Sequence, residues 1–361
     1  MNILYRVWIV FFCLSLPAFA QSGAVTGALT GQSKAESPAA SASRHIALDV
    51  VVADSSGKPI PGLQQQDFTV LDNKQQQKIL SFRAVDTTTT TESPAQIILL
   101  IDMVNTSFHS VAYERDQIEK FLSQNDGHLA HPVSMVLFTD TGAQIENGSS
   151  QDGHALIATL NKNGTALRSI TRSTGFYGAV DRVQLSLNTL RTLASHEATL
   201  PGRKIVVWIS PGWPLLTGPR IDLSYKDQQG IFNSIAAIST ELRQARITLY
   251  SVDPLGTSDT GGFRLDYYRT FLKGVAKPTQ VQPADLALQV LAYQSGGKVL
   301  NASNDVAGEI AACAQDADAY YTLSFDAPPA DHVNEYHGLQ VILNGKPGLK
   351  ARTRTGYYAQ P

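Results

Sequence analysis

The stretch Gln96-Ile-Ile-Leu-Leu-Ile-Asp-Met-Val-Asn-Thr-Ser107 decides how this chain reads. Five consecutive apolar residues, Ile97 to Ile101, end on a carboxylate, Asp102. Polar residues follow, and then a segment of helical character from about Tyr113. An apolar run of this length fits a strand buried on both faces of a parallel sheet. An acid at the carboxyl end of such a strand stands where open α/β sheets place their ligands.

The same alternation continues downstream. Buried strands are expected at 97–101, 133–138, 205–209, 247–252 and 298–300, with a short antiparallel edge strand at 142–146. Helices are expected at about 113–123, 154–161, 175–195, 226–245, 284–294 and 305–319, the last capped by Ser303 or Asn304. In the third helix Val180, Val183, Leu187 and Leu190 recur at three to four and mark one face. Strands alternating with helices imply an α/β fold with a mainly parallel sheet and helices on both sides.

The flanks are different. Residues 45–85 hold three short strands, at 46–52, 68–71 and 79–82, separated by turns such as Asp54-Ser-Ser-Gly57. Residues 320–358 hold three more, at 320–325, 338–343 and 349–358, with Asn344-Gly345 and Pro347-Gly348 as turns between the last two. Three strands make an incomplete sheet. The two sets are therefore expected to complete each other as flanking β-sandwich strands, with the α/β region inserted between them. The boundaries are 44–86, 95–319 and 320–361, with a polar threonine-rich connector at 87–91.

Residues 1–20 read as a secretory signal peptide. Arg6 is basic, Val7 to Leu16 is apolar, and small residues precede a cleavage point after Ala20. Residues 21–43, rich in Ala, Ser, Gly and Thr, read as a flexible linker. The expected location is extracytoplasmic, periplasmic or secreted, with no membrane span in the mature chain. One cysteine would remain, Cys313, which reads as a small buried hydrophobe. The 361 residues suit about two domains. At 43% hydrophobic and net charge −2 they provide a core but no footprint for nucleic acid.

Several marks recur in order along the chain. They include Val50-Val-Val-Ala-Asp54 with Gly57-Lys-Pro, Asp67-Phe-Thr-Val-Leu-Asp72, Ile97 to Asp102, and Gly202-Arg-Lys. Ser295-Gly-Gly, Asp318-Ala-Tyr-Tyr-Thr-Leu-Ser-Phe325 and Thr355-Gly-Tyr-Tyr358 complete the series. In these the chain, from about Ile46 to Tyr358, resembles the VWFA-related proteins of acidobacteria. The resemblance implies a von Willebrand factor A-type, Rossmann-like domain with flanking β-structure. It also implies a ligand-binding or adhesion role without an agreed biochemical activity.

Domains of that type with an intact site hold a hard divalent cation on an Asp-x-Ser-x-Ser loop, a Thr from a second loop and an Asp from a third. By that resemblance Asp102 matches the first acid, Thr106 keeps a hydroxyl, and Thr174 matches the second loop. Val104 replaces the first Ser, and Pro211 stands at the third-loop acid. The site is thus degenerate. No cofactor is expected; were a cation held, oxygen ligands point to Mg²⁺ or Ca²⁺, with Asp140 as a replacement acid. Without metal, Asp102 can accept hydrogen bonds from backbone amides nearby. Trp213, Phe176 and Tyr177 are candidate partner-binding aromatics on the same edge, or else core.

No Gly-x-Ser-x-Gly elbow, phosphate loop or His-Glu-x-x-His motif is present. His128 and His131 read as a solvated loop, Ser251-Val-Asp-Pro254 as a cap or turn, and Tyr357-Tyr358 as strand packing. The expectation is a non-enzymatic module that engages a protein or cell-surface ligand. The alternative is a structural or assembly subunit without metal, and an unrecognised hydrolase comes third.

Overall fold

The structure is a computed structural model and describes residues 44–87, 95–106, 108–146, 148–162, 175–214, 223–256 and 267–361. The stretches expected to be a signal peptide and a linker, most of the threonine connector and Thr174 lie outside the described residues.

The described chain begins with β1 (His45–Ala53), β2 (Phe68–Asp72), β3 (Gln75–Gln77) and β4 (Ser81–Asp86). The α/β region follows with β5 (Gln96–Asp102), α1 (Phe108–Leu122), β6 (His128–Thr139), β7 (Gly142–Ile145) and β8 (Ser150–Asp152). It continues through α2 (Gly153–Lys162), α3 (Gly175–Glu197), β9 (Lys204–Ile209), α4 (Tyr225–Gln244) and β10 (Ile247–Val252). It ends with α5 (Leu288–Gln294), β11 (Val299–Leu300) and α6 (Val306–Ala314). The last strands are β12 (Ala319–Asp326), β13 (Glu335–Leu343), β14 (Lys350–Arg352) and β15 (Gly356–Ala359).

Among the described residues the strands form one mainly parallel sheet and two antiparallel ones, an α/β architecture. The large sheet has the order β11-β10-β9-β5-β6-β7, with β8 also on β6. β5 pairs in parallel with β6 on one side and β9 on the other, whereas β7 and β8 run antiparallel at the edge. This order makes β5 the innermost starting strand of a doubly wound sheet. The order reverses between β5 and β9, and ligand crevices of such sheets open there.

Burial on both faces explains the unbroken apolar run. Ile97, Leu99 and Ile101 pack with Ile118 and Phe121 of α1, Leu160 of α2, and Ile310 and Cys313 of α6. Ile98 and Leu100 pack on the other side with Leu187 and Leu190 of α3 and Ile235, Ile238 and Leu242 of α4. Alternate residues of a strand point to opposite faces, so both sets must be apolar.

The antiparallel sheets have orders β14-β1-β12-β4 and β15-β13-β2-β3. Strands from the two ends of the chain pair directly, with Ile46 opposite Phe325 and Leu48 opposite Leu323. Ile46, Leu48 and Val50 point into a shared core with Phe68, Val70, Tyr321 and Tyr357. On the opposite face of β1, Val51 joins the core of the α/β region. A buried hub fixes that seam. Asp316 is fully buried and accepts hydrogen bonds from Tyr250 Oη (2.6 Å), Lys298 Nζ (3.2 Å) and the Arg352 guanidinium.

Several expectations need correction. The span 349–358 is not one strand. β14 pairs with β1 in one sheet and β15 with β13 in the other. The chain crosses over at Thr353–Thr355, where Thr353 Oγ1 bonds Asp49 O and Thr355 N bonds Gln294 O. The helix expected over 305–319 ends at Ala314. It tightens to a 3₁₀ turn, Gln315–Ala317, which turns Asp316 inward, and β12 begins at Ala319 opposite Asp86. Its N-cap is Asp305, with no side-chain cap bond. The helix expected over 284–294 is broken at Ala287, which is extended (φ −65°, ψ 147°). His128 and His131 belong to β6, and buried His131 pairs with Asp318 at 2.6 Å. Gly297 explains part of the Ser295-Gly-Gly mark, because a Cβ there would lie 1.8 Å from Leu249 O. Among the described residues no helix is long and apolar enough to cross a membrane.

Candidate functional site at the switch point of the sheet

β5 delivers Asp102 to the reversal of strand order, next to the end of β9. The carboxylate is 1% exposed. Its Oδ1 accepts from Val104 N (2.9 Å) and Asn105 N (2.8 Å), a tight turn closed by the acid itself. Its Oδ2 accepts from Asn105 Nδ2 (2.8 Å), Trp208 Nε1 (3.0 Å) and Ser210 Oγ (2.8 Å). Asn105 Nδ2 also reaches Ser186 Oγ on α3 (3.1 Å). Burial pushes the Asp102 carboxyl upward, and the bonds from Asn105, Trp208 and Ser210 oppose it.

β9 supplies the other half. Trp208 is fully buried in the strand, and a buried indole N–H needs an acceptor. Asp102 provides it. Ser210 follows the strand and its hydroxyl accepts Gly212 N (3.0 Å), which shapes the turn through Pro211. Gly212 has φ +88°, a conformation that suits glycine. Trp213 is 3% exposed and packs edge-on against Trp208 at 5.1 Å. Its Nε1 donates to Leu286 O (2.8 Å). Trp213 is therefore core. The proline–glycine turn folds the ring inward under the loop, so it presents no anchor to a partner.

A divalent cation needs acceptor oxygens with free lone pairs. Asp102 has about four lone-pair positions and meets five donors. Val104 contributes no oxygen, and the position after Ser210 is a proline. Asp140 is exposed in the turn between β6 and β7 and is not among the partners of Asp102. Among the described residues no three His, Cys, Asp or Glu side chains are placed to hold a metal. Among the described residues the Asp102 carboxylate itself has no free lone pair for a cation, whereas Asn105 Oδ1, Thr106 Oγ1 and Glu114 Oε1 near it are buried without a hydrogen-bond partner.

Thr106 has a different neighbour. It is 5% exposed and lies beside Glu114 of α1, itself 2% exposed. Neither Thr106 Oγ1 nor Glu114 Oε1 has a partner at full hydrogen-bond geometry. Burial, reinforced by the charges of Asp102 and Asp253, pushes the Glu114 carboxyl well above its ordinary range. Asp253 is in a turn, accepting Leu255 N (2.9 Å). The sequence reading missed Asn105, Glu114, Trp208 and Ser210. Asn105 alone carried a signal, because Asp-x-x-Asn can close a turn on itself.

Thr174 and the side chain of Phe176 lie outside the described residues. Tyr177, in the first turn of α3, is 82% exposed, and Tyr225, the first residue of α4, is 70% exposed. Both helices start on the Asp102 edge, since their far ends meet Lys204 at the start of β9 through Glu197 O and Ala245 O.

Neither a family model nor a curated protein matches the chain. Solved structures similar to it include the PilB minor pilin from Streptococcus sanguinis, in its D319A mutant. That pair is 11% identical, covers 63% of each chain and has a TM-score of 0.35. The pilus adhesin SpaC from Lactobacillus rhamnosus GG, in its open conformation, is 11% identical over 83% of this chain and 48% of that one, with a TM-score of 0.39. A von Willebrand factor type A protein from Catenulispora acidiphila is 9% identical over 88% and 75%, with a TM-score of 0.34. The chain spans less than two thirds of the pilin and the adhesin. With likenesses this weak, the architecture above rests on the strand order alone.

Proposed function

We propose that the chain is an exported, non-enzymatic protein-binding module of von Willebrand factor A type that engages its partner without a metal ion. The observation that carries this reading is the saturated Asp102 carboxylate. It closes the crevice where related folds place ligands and leaves the rim above it as the contact surface. Tyr177 and Tyr225 stand on that rim. Exposed tyrosines supply large contact area at low entropic cost and are common at the centre of protein interfaces. Asn105 ties Asp102 to Ser186, nine residues into α3 from Tyr177, so this ring stands roughly 13 Å above the lock by helical rise. The resemblance to the VWFA-related proteins of acidobacteria, the expected signal peptide and the division into 44–86, 95–319 and 320–361 belong to the same proposal.

The test places a photo-crosslinking residue at Tyr177, at Tyr225 and, as a control on α5, at Tyr293 in the exported protein on its own cells. Adducts at the first two positions, unaffected by chelator and absent at Tyr293, are expected. Equal labelling at all three, or loss with chelator, overturns the reading. The second reading, a structural subunit of an assembly, is favoured by the same closed crevice and predicts adducts only with copies of this chain.

A further inference from the structure

We propose that the pocket between the last turn of α4 and the C-terminal strand is an oxyanion site that takes a small dianion, phosphate or sulfate, against Arg243. The pocket has a volume of about 200 Å³ and is lined by Arg44, Thr240, Arg243, Gln244, Tyr358 and Gln360 among others. No Asp or Glu is in its lining. It is smaller than the ~300 Å³ lower bound of pockets for drug-sized ligands, which excludes a nucleotide and suits a tetrahedral anion with water.

Arg243 is the anomaly. Its Nε is buried without an acceptor, and among the described residues no carboxylate or carbonyl bonds its side chain. Buried guanidinium groups are ordinarily paired, because an isolated buried charge is expensive. A second guanidinium stands behind it. Arg354 is 7% exposed and makes one long bond, Nη1 to Ser239 O at 3.4 Å, one helical turn before Arg243. Burial and the Arg243 charge push the Arg354 guanidinium down to about 9. Asp49 acts on Arg354 from a distance but is itself bonded to Arg246 and Thr322.

The helix end does not resolve this excess. The C-terminus of a helix favours a cation. Lys204 already fills that role, with its Nζ on Ala245 O. Tyr357 and Tyr358 line the same pocket, but their hydroxyls are taken by Asp72 and Val275 O. Arg243 on the pocket wall, with the Arg354 charge behind it met only in part by Asp49, calls for negative charges. Phosphate or sulfate provides these with oxygens matched to the guanidinium fork.

The mature protein is titrated with inorganic phosphate and with sulfate, against acetate and chloride at matched ionic strength, following thermal unfolding and calorimetry. A saturable rise in Tm with the dianions alone is expected. Arg243→Gln should bind phosphate at least about tenfold more weakly, consistent with losing a charge-assisted pair. In dianion-free buffer the variant should equal or exceed the wild type in stability, since it removes a half-buried guanidinium whose Nε has no acceptor. Arg191→Gln, which breaks a surface pair with Glu241, should leave the dianion response unchanged. Phosphate acting no better than acetate, or an undiminished response in Arg243→Gln, overturns the proposal. Should that variant fail to fold, phosphorus NMR of phosphate with the wild-type protein decides: absence of saturable line broadening overturns it too.

Discussion

Replacing Asp102 by Ala removes the acceptor for five hydrogen bonds at once. The two Asn105 donors are partly buried and can turn to water. Val104 N, Trp208 Nε1 and Ser210 Oγ are buried and cannot. A buried donor left unsatisfied costs about 1–3 kcal/mol, so the three together cost about 3–9 kcal/mol. The burial of the carboxylate, which raises its pKa, offsets part of this. The net expectation is a loss of roughly 3–4 kcal/mol of unfolding free energy. Asp102→Asn keeps one carbonyl oxygen but turns an NH₂ group toward donors, and should lose about 1–2 kcal/mol. Of three tryptophans, Trp8 falls in the expected signal and the other two, Trp208 and Trp213, are in contact beside Asp102. Tryptophan emission of the chain lacking residues 1–20 through a urea titration therefore reports this site directly. A loss under about 1 kcal/mol for Asp102→Ala would show that the donors are satisfied otherwise and refute the lock. So would a saturable Mg²⁺ or Ca²⁺ stabilisation of the wild type that Asp102→Ala abolishes.

Glu309 on α6 is raised to about 7, by burial first and then by the charges of Asp253 and Asp305. The folded state therefore holds a proton that the unfolded chain releases above its ordinary 4.5. The stabilising contribution is complete below that value and fades as pH rises through about 7. Glu309→Gln should flatten the fall of the urea midpoint across this window, and an unchanged slope counts against the assignment. Asp316→Ala strands the charges of Arg352 and Lys298 in the seam between the sheets. It should cost about 3–5 kcal/mol in chemical denaturation. A loss under about 1 kcal/mol would mean that water or another acid compensates them.

The mainly parallel sheet was legible because its strands carry their burial on both faces in their own composition. Ile97 to Ile101 and Ile247 to Val252 can sit only where helices cover both sides. The helix starts were less legible, since local propensity is indifferent between 108 and 113. The crossing of 349–358 between two sheets left no local signal. It depends on Thr353 and Thr355 meeting Asp49 and Gln294, partners remote in sequence. His131 and Asp318 were unreadable for the same reason, as they are separated by 187 positions. Trp213 shows the limit of reading a loop by residue type. A tryptophan among prolines and glycines suits an exposed anchor as well as a folded-in ring, and only Trp208 and Leu286 O select the second.

The amino-acid sequence by itself determined the alternation of buried strands and amphipathic helices and the placing of Asp102 at a strand end. Periodicity and burial are local properties, written residue by residue. What Asp102 does was decided only by tertiary structure. Its two oxygens are claimed by Trp208 and Ser210 from the neighbouring strand and by the turn through Asn105. The same carboxylate would read as a cation ligand in a crevice lined with acceptors. Here five donors meet it, and only the packing of β9 beside β5 brings two of them, Trp208 and Ser210, to its oxygens.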